Sequence, residues 1–73
     1  MFPILDKIDK ALESKGECTL IDKTGKYLHG IVDDSWIRSS GGKLRGKLSF
    51  ISQEKGTLEI DCYDILDIIL KGK

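Results

Sequence analysis

Residues 43–62 read KLRGKLSFISQEKGTLEIDC, and this stretch decides the fold. Apolar and polar residues alternate along both of its arms, which is the period of a β-strand with one buried face. The SQEKG segment between the arms is typical of a hairpin turn. A symmetric hairpin places Phe50 opposite Leu58 and Leu48 opposite Ile60, so both pairs lie on one apolar face.

Charge is uneven along the chain, although 12 basic and 12 acidic residues cancel overall. Residues 35–56 hold five basic residues and one acid, whereas residues 57–70 hold four acids and no base. The hairpin register explains part of this asymmetry, because it places Lys47 opposite Asp61. A cross-strand ion pair of this kind is worth about 0.2–1 kcal/mol.

The two-residue period continues outward from this hairpin on both sides. An Asp22-Lys23-Thr24-Gly25 turn joins the first two strands, and Gly30 within the second predicts a bulge or a sharp bend. Ser39-Ser40-Gly41-Gly42 is a flexible turn. A short helix over 63–70 is the alternative to the last strand, because periodicity does not separate the two over so short a run. The predicted strands are 17–21, 26–33, 43–51, 57–62 and 65–70.

The N-terminal segment predicts an amphipathic helix over about residues 3–15. Pro3 suits its first turn, and Gly16 suits the left-handed position after its end. Apolar residues recur at a spacing of three and four, which makes a stripe that must dock on another element. The stripe consists of Phe2, Ile4, Leu5, Ile8, Ala11 and Leu12.

These elements predict one mostly-β domain over residues 1–73: a small five-stranded antiparallel barrel over about 17–70, with the N-terminal α-helix covering one end. A length of 73 residues excludes a two-domain enzyme with a deep cleft. No stretch approaches the roughly 20 apolar residues that cross a bilayer, and Met1-Phe2-Pro3 does not begin a secretory signal. We therefore expect a cytoplasmic protein without membrane contact.

Catalytic, metal and cofactor sites find little support in the sequence. Cys18 and Cys62 stand far apart among apolar neighbours, which favours buried thiols over zinc ligands or nucleophiles. His29 is the single histidine. The Asp33-Asp34 pair beside it cannot line one pocket from a regular strand, because neighbouring residues face opposite ways. We expect no enzyme, no metal and no cofactor.

The basic middle of the chain predicts a nucleic-acid contact. Part of its charge has no partner in the hairpin register, and an aromatic residue lies close to it around a Gly/Ser loop. Cations follow the phosphates of a single strand while planar side chains stack on its bases. The candidate residues are Trp36, Arg38, Lys43 and Arg45, with Tyr27 as a further stacking residue. The alternative for Trp36 is a plug that fills one end of the barrel.

The end of the chain predicts two kinds of protein contact. Its last strand is apolar on both faces and would aggregate if left uncovered, so it is covered by the helix or pairs with another copy in a ring or a dimer. The residues of that interface are Ile65, Leu66, Ile68, Ile69 and Leu70. A second set of residues is acidic and suits a basic protein partner: Glu59, Asp61, Asp64 and Asp67.

The segments LIDKTGKYLHGIV (20–32) and EIDCYDILDI (59–68) resemble the Sm-like fold, which includes the bacterial host-factor RNA chaperone, and the related barrels of small Rho inhibitors. The first segment echoes the first Sm motif, and the second echoes the final strand, short 3₁₀ turn and closing strand. The resemblance implies the barrel and a tendency to form rings. The uridine pocket does not transfer, because Cys62-Tyr63-Asp64 stands where an Arg-Gly or Lys-His signature is expected; Trp36 alone matches a base-stacking position.

Two functions follow as hypotheses. The first is a non-enzymatic, Sm-like oligomer that binds or regulates RNA. The second is a small regulator that docks on a basic protein through the acidic set, as the resemblance to Rho inhibitors implies.

Overall fold

The computed structural model describes residues 3–71 and contains one helix followed by seven strands. The N-terminal helix is confirmed, and residues 65–70 form a strand and not a helix. Phe2 of the predicted stripe lies outside the described residues. The elements are α1 (Pro3–Ser14), β1 (Cys18–Asp22), β2 (Tyr27–Ser35), β3 (Arg38–Ser40), β4 (Lys43–Arg45), β5 (Lys47–Ser52), β6 (Gly56–Asp61), a 3₁₀ turn (Cys62–Asp64) and β7 (Ile65–Leu70).

Five strands form one antiparallel sheet in the order β6-β5-β2-β1-β7. Strands β3 and β4 form a separate two-stranded ribbon. Within residues 3–71, β6 and β7 do not pair with each other, so the sheet keeps two open edges. The mostly-β class with an N-terminal helix is therefore confirmed, whereas closure into a barrel is not observed.

The hairpin of β5 and β6 has the predicted register. Phe50 pairs with Leu58 and Lys47 pairs with Asp61. The ion pair differs from the prediction, because Lys47 Nζ lies 2.8 Å from the diagonal Glu59 Oε1 and not against Asp61. Long side chains reach diagonal neighbours across a sheet, so this exchange of partner needs no change of register.

The predicted strand over 43–51 is wrong in one respect, because Gly46 divides it. Gly46 has φ 110°, and a Cβ at this position would overlap the carbonyl oxygen of Trp36. The chain therefore kinks at Gly46. Strand β4 turns away to pair with β3, while β5 stays in the sheet.

The predicted bulge in β2 lies three residues after Gly30. Gly30 pairs regularly with Cys18 and Ser52, and its role is close packing, since a Cβ there would overlap the carbonyl oxygen of Ile51. The register shifts instead between Val32 and Asp34. The strand then continues to Ser35, two residues beyond its predicted end at residue 33.

The end of α1 also departs from the prediction. Lys15 takes the left-handed conformation with φ 50°, and Gly16 is not among the residues with positive φ. Lys15 N donates to Ala11 O at 3.0 Å, and Gly16 N donates to Ser14 Oγ at 3.2 Å. A lysine therefore closes the helix at a position where glycine is normally favoured.

One apolar core joins the helix to the sheet. Ile8 and Ala11 of α1 belong to the same buried cluster as the sheet residues, which explains how a helix of 12 residues is held in place. Both cysteines are buried free thiols in this cluster. The remaining buried members are Leu20, Val32, Ile37, Leu48, Phe50, Ile60 and Ile68.

Candidate nucleic-acid interface

The ribbon of β3 and β4 carries most of the predicted nucleic-acid contacts. Its strands are joined by Gly41 and Gly42, with φ 59° and 78°. Positive φ at both central residues is the geometry of a tight two-residue hairpin turn. Arg38 pairs directly with Arg45, and Ser40 pairs with Lys43. The glycines thus bring together basic residues that lie seven positions apart.

Three cations share one face of the ribbon. Residues that pair directly, and residues two apart on a strand, have side chains on the same face. Arg38, Lys43 and Arg45 therefore project together, and all three are exposed. Leu44 lies on the opposite face, where it packs against the core cluster and holds the ribbon to the domain.

These cations lack the ion pairs that other basic residues make. Across the part of the chain that the structure describes, the ion pairs involve Lys7, Lys23, Lys47 and Lys71, and none involves a cation of the ribbon. Like charges directly opposite each other on a ribbon are destabilising. Two facing arginines without a carboxylate thus form a surface where a bound anion relieves repulsion, and a guanidinium pairs well with phosphate.

Trp36 stands at the base of this ribbon and does not plug the sheet. Trp36 is 49% exposed, whereas the adjacent Ile37 is buried. Trp36 N donates to Lys47 O at 2.8 Å, and the Trp36 carbonyl lies against Gly46. The backbone is therefore fixed while Trp36 stays open to solvent, two residues before the first cation of the ribbon.

Tyr27 lies elsewhere. It is the first residue of β2, opposite Ile21 of β1, whereas Trp36 follows the last residue of the same nine-residue strand. Both aromatic residues were predicted to stack on bases, but the fold places Tyr27 at the start of β2 and Trp36 just after its end. Tyr27 is 60% exposed and has no ribbon cation beside it in the strand register.

Tyr63 is a further exposed aromatic residue, one that the sequence pattern did not predict as a contact. The 3₁₀ turn contacts β4, and Tyr63 borders a groove with Gly42, Lys43 and Leu44. A local signal for the turn does exist, because Asp61 accepts a hydrogen bond from Tyr63 N as an N-cap does. The approach of the ribbon to this turn has no such signal.

The acidic set is engaged within the chain. Asp61 Oδ1 accepts from Tyr63 N at 2.9 Å, and each of the other members lies within 3 Å of a lysine ammonium. These pairs reduce the charge that the set offers to a basic partner. The pairs are Glu59 with Lys47 at 2.8 Å, Asp64 with Lys23 at 2.9 Å, and Asp67 with Lys7 at 2.7 Å.

The closing strand divides into covered and open side chains. Ile68 is buried, and Ile65 and Leu70 pack against the core as partly buried residues. Leu66 and Ile69 are exposed. Of the five predicted interface residues, these two are therefore the most open to solvent.

The residues considered for chemistry are dispersed or protonated. His29 Nδ1 lies 3.0 Å from Thr19 Oγ1, and Asp34 Oδ1 accepts from Ser35 N. Burial raises the pKa of the Cys18 and Cys62 thiols, and the neighbouring Asp61 raises that of Cys62 further. A protonated thiol is a weak nucleophile and a poor metal ligand. Within residues 3–71, no three of the His, Cys, Asp and Glu side chains are grouped to hold a metal ion.

Comparison of the chain with models of protein families, with curated proteins and with solved structures gave no match. The single helix in the described residues is also too short and too polar to cross a bilayer.

Proposed function

We propose that this chain is a non-enzymatic protein that binds single-stranded nucleic acid, RNA in particular, on the cation face of the β3–β4 ribbon. The observation that carries the proposal is the facing pair Arg38 and Arg45. Lys43 lies on the same face, and no carboxylate in the described structure pairs with any of them. Trp36 supplies a ring for a base at the foot of the ribbon.

The size of the surface suits a single strand. Three cations follow a short run of phosphates, and each phosphate neutralised on a single strand contributes about −0.7 to the slope of log K against log salt. Stacking of one base on an aromatic side chain is worth about 1–3 kcal/mol. Trp36 and the ribbon together therefore support measurable but salt-sensitive binding. Tyr27 is left out of the proposed surface because it lies at the far end of β2.

The proposal extends to the assembly. We infer an open, Sm-like barrel whose copies associate through the sheet edges in the cytoplasm. Two open edges and the exposed Leu66 and Ile69 support self-association. The acidic set supports docking on a basic protein less well, because its carboxylates already have partners inside the chain.

The test is fluorescence anisotropy with labelled 12-mers of poly(U), poly(A) and the matching DNA, measured at low and at moderate salt. Wild type is compared with Arg45→Glu and with Lys10→Glu, a matched charge reversal on the exposed side of α1. We expect binding that Arg45→Glu weakens at least about tenfold while Lys10→Glu leaves it nearly unchanged. Absence of binding to every oligonucleotide at low salt would overturn the proposal, and equal loss in both variants would overturn the assigned surface.

A further inference from the structure

We infer that the groove between the tip of the ribbon and the 3₁₀ turn is a second base-binding site, in which Tyr63 stacks on a base of a single strand. The inference rests on the proposed function for its ligand. It adds a site beside Leu44 at the tip of the ribbon, and a residue that the basic patch alone does not include.

The groove is an open depression on the surface of the domain, with a volume of about 470 Å³. Leu44 and Tyr63 give it an apolar and aromatic lining, Lys43 adds a cation, and Gly42 adds no side chain. An apolar side chain beside an aromatic ring suits a planar heterocycle, and a nearby ammonium suits the phosphate attached to it.

Tyr63 is presented on a fixed backbone. Asp61 Oδ1 accepts from Tyr63 N at 2.9 Å, and Cys62 N donates to Gly46 O at 2.9 Å. Cys62 is buried, whereas the Tyr63 side chain is 66% exposed, the largest exposure among the large hydrophobic residues described. A tyrosine loses little side-chain entropy on contact because it has few rotatable bonds. The exposed ring of Tyr63, carried by a hydrogen-bonded turn, is therefore available for stacking.

One cation, Lys43, lines the groove, and the two carboxylates beside Tyr63 already have partners within the chain. Lys43 belongs both to the groove and to the cation face, so one strand can continue from one site to the other. Asp64, next to Tyr63, is paired with Lys23 at 2.9 Å. One carboxylate oxygen of Asp61 accepts the hydrogen bond from Tyr63 N within the turn. The occupant that fits is thus a nucleobase whose flanking phosphates lie along Lys43 and the arginines.

The variants that test the site are Tyr63→Ala, Tyr63→Phe and Tyr27→Ala, measured by the same anisotropy assay. Tyr27 is a matched control because it is similarly exposed but lies far from the ribbon. We expect Tyr63→Ala to weaken binding about fivefold or more, and Tyr63→Phe and Tyr27→Ala to change it by less than about twofold. Circular dichroism checks that each variant keeps the fold.

A second measurement uses the wild-type chain. An oligouridine that carries 5-iodouracil is photo-crosslinked, and the attached residue is located by mass spectrometry. We expect adducts on Tyr63 as well as on Trp36. Binding that Arg45→Glu weakens but Tyr63→Ala does not, with no adduct on Tyr63, overturns this site and leaves the ribbon surface intact. Absence of any binding by wild type overturns the proposed function instead.

Discussion

Lys7 of α1 and Asp67 of β7 form an ion pair on the open β7 edge of the sheet. Lys7 Nζ lies 2.7 Å from Asp67 Oδ1, and the same oxygen accepts a hydrogen bond from Ile68 N at 2.8 Å. Lys71 N donates to Glu17 O, and in an antiparallel pair every second residue forms such backbone hydrogen bonds with the partner strand. The Ile68 N–H, three residues before Lys71, therefore points away from β1 toward the open edge. The helix thus holds a carboxylate over one donor of this edge, which limits the pairing with another copy that the open edge otherwise allows.

Removal of the Lys7–Asp67 ion pair is expected to increase self-association. Asp67→Ala frees the Ile68 N–H and removes a charge from an edge that already exposes Leu66 and Ile69. Sedimentation velocity at several concentrations should show a shift toward larger species than wild type. Lys10→Ala on the same helix is the control, because Lys10 makes no ion pair within residues 3–71. Identical size distributions for Asp67→Ala and wild type would show that Asp67 does not limit association at this edge.

The same carboxylate predicts a pH dependence. The hydrogen bonds from Lys7 and from Ile68 N hold the pKa of Asp67 below its usual range. A carboxyl whose pKa is lowered on folding stabilises the folded state above its unfolded pKa of about 3.9, and this contribution is lost as the pH falls through the folded pKa. Urea unfolding of wild type and Asp67→Asn at pH 7 and near pH 2.5 should give a difference that shrinks on acidification. A difference that is constant over this range would contradict the assignment.

The helix end offers a stabilising substitution. Lys15 holds φ 50°, a conformation that costs an L-residue about 1–2 kcal/mol, while glycine loses about 0.5–1 kcal/mol more chain entropy on folding. Lys15→Gly is therefore expected to raise the free energy of unfolding by about 0.5–1 kcal/mol. Gly16→Ala is the companion variant, because Gly16 has no positive φ and only Ser14 Oγ, at 3.6 Å, lies near its added Cβ. Loss of stability in Lys15→Gly would refute this account of the helix end.

A feature of this fold can be predicted from the sequence when residues close together in the chain determine it. The hairpin register around Phe50 and Leu58 follows from alternation and a turn, and both are written in neighbouring residues. The break of the strand at Gly46 cannot be predicted in this way, because the apolar and polar alternation continues through it. The carbonyl that leaves no room for a side chain at Gly46 belongs to Trp36, ten residues earlier. The groove beside Tyr63 is likewise invisible, since it forms where the ribbon meets the 3₁₀ turn. The paired cations of the ribbon were predicted as a cluster, but their shared face required the observed register.

Gly46 itself is expected to tolerate no side chain. Its φ of 110° disfavours L-residues, and an added Cβ overlaps the Trp36 carbonyl, which is backbone and cannot rotate away. Gly46→Ala should lower the free energy of unfolding by about 3 kcal/mol or more, in the range of severe backbone substitutions. Gly41→Ala is the control for positive φ alone, because nothing lies within 4 Å of its added Cβ. Equal losses in the two variants, measured by urea unfolding, would exclude the overlap as the cause.

The salt dependence of binding counts the cations that act together on the ribbon. If Arg38, Lys43 and Arg45 each neutralise a phosphate, the slope of log K against log salt is about −2, and Arg38→Gln reduces its magnitude by about 0.7. Lys55→Gln removes an exposed cation in the turn between β5 and β6, which lies outside the ribbon and makes no ion pair in the described structure. It should leave the slope unchanged. Anisotropy titrations across a salt series measure both slopes, and equal reductions in the two variants would mean that the bound strand follows the general charge of the protein and not the arginine pair.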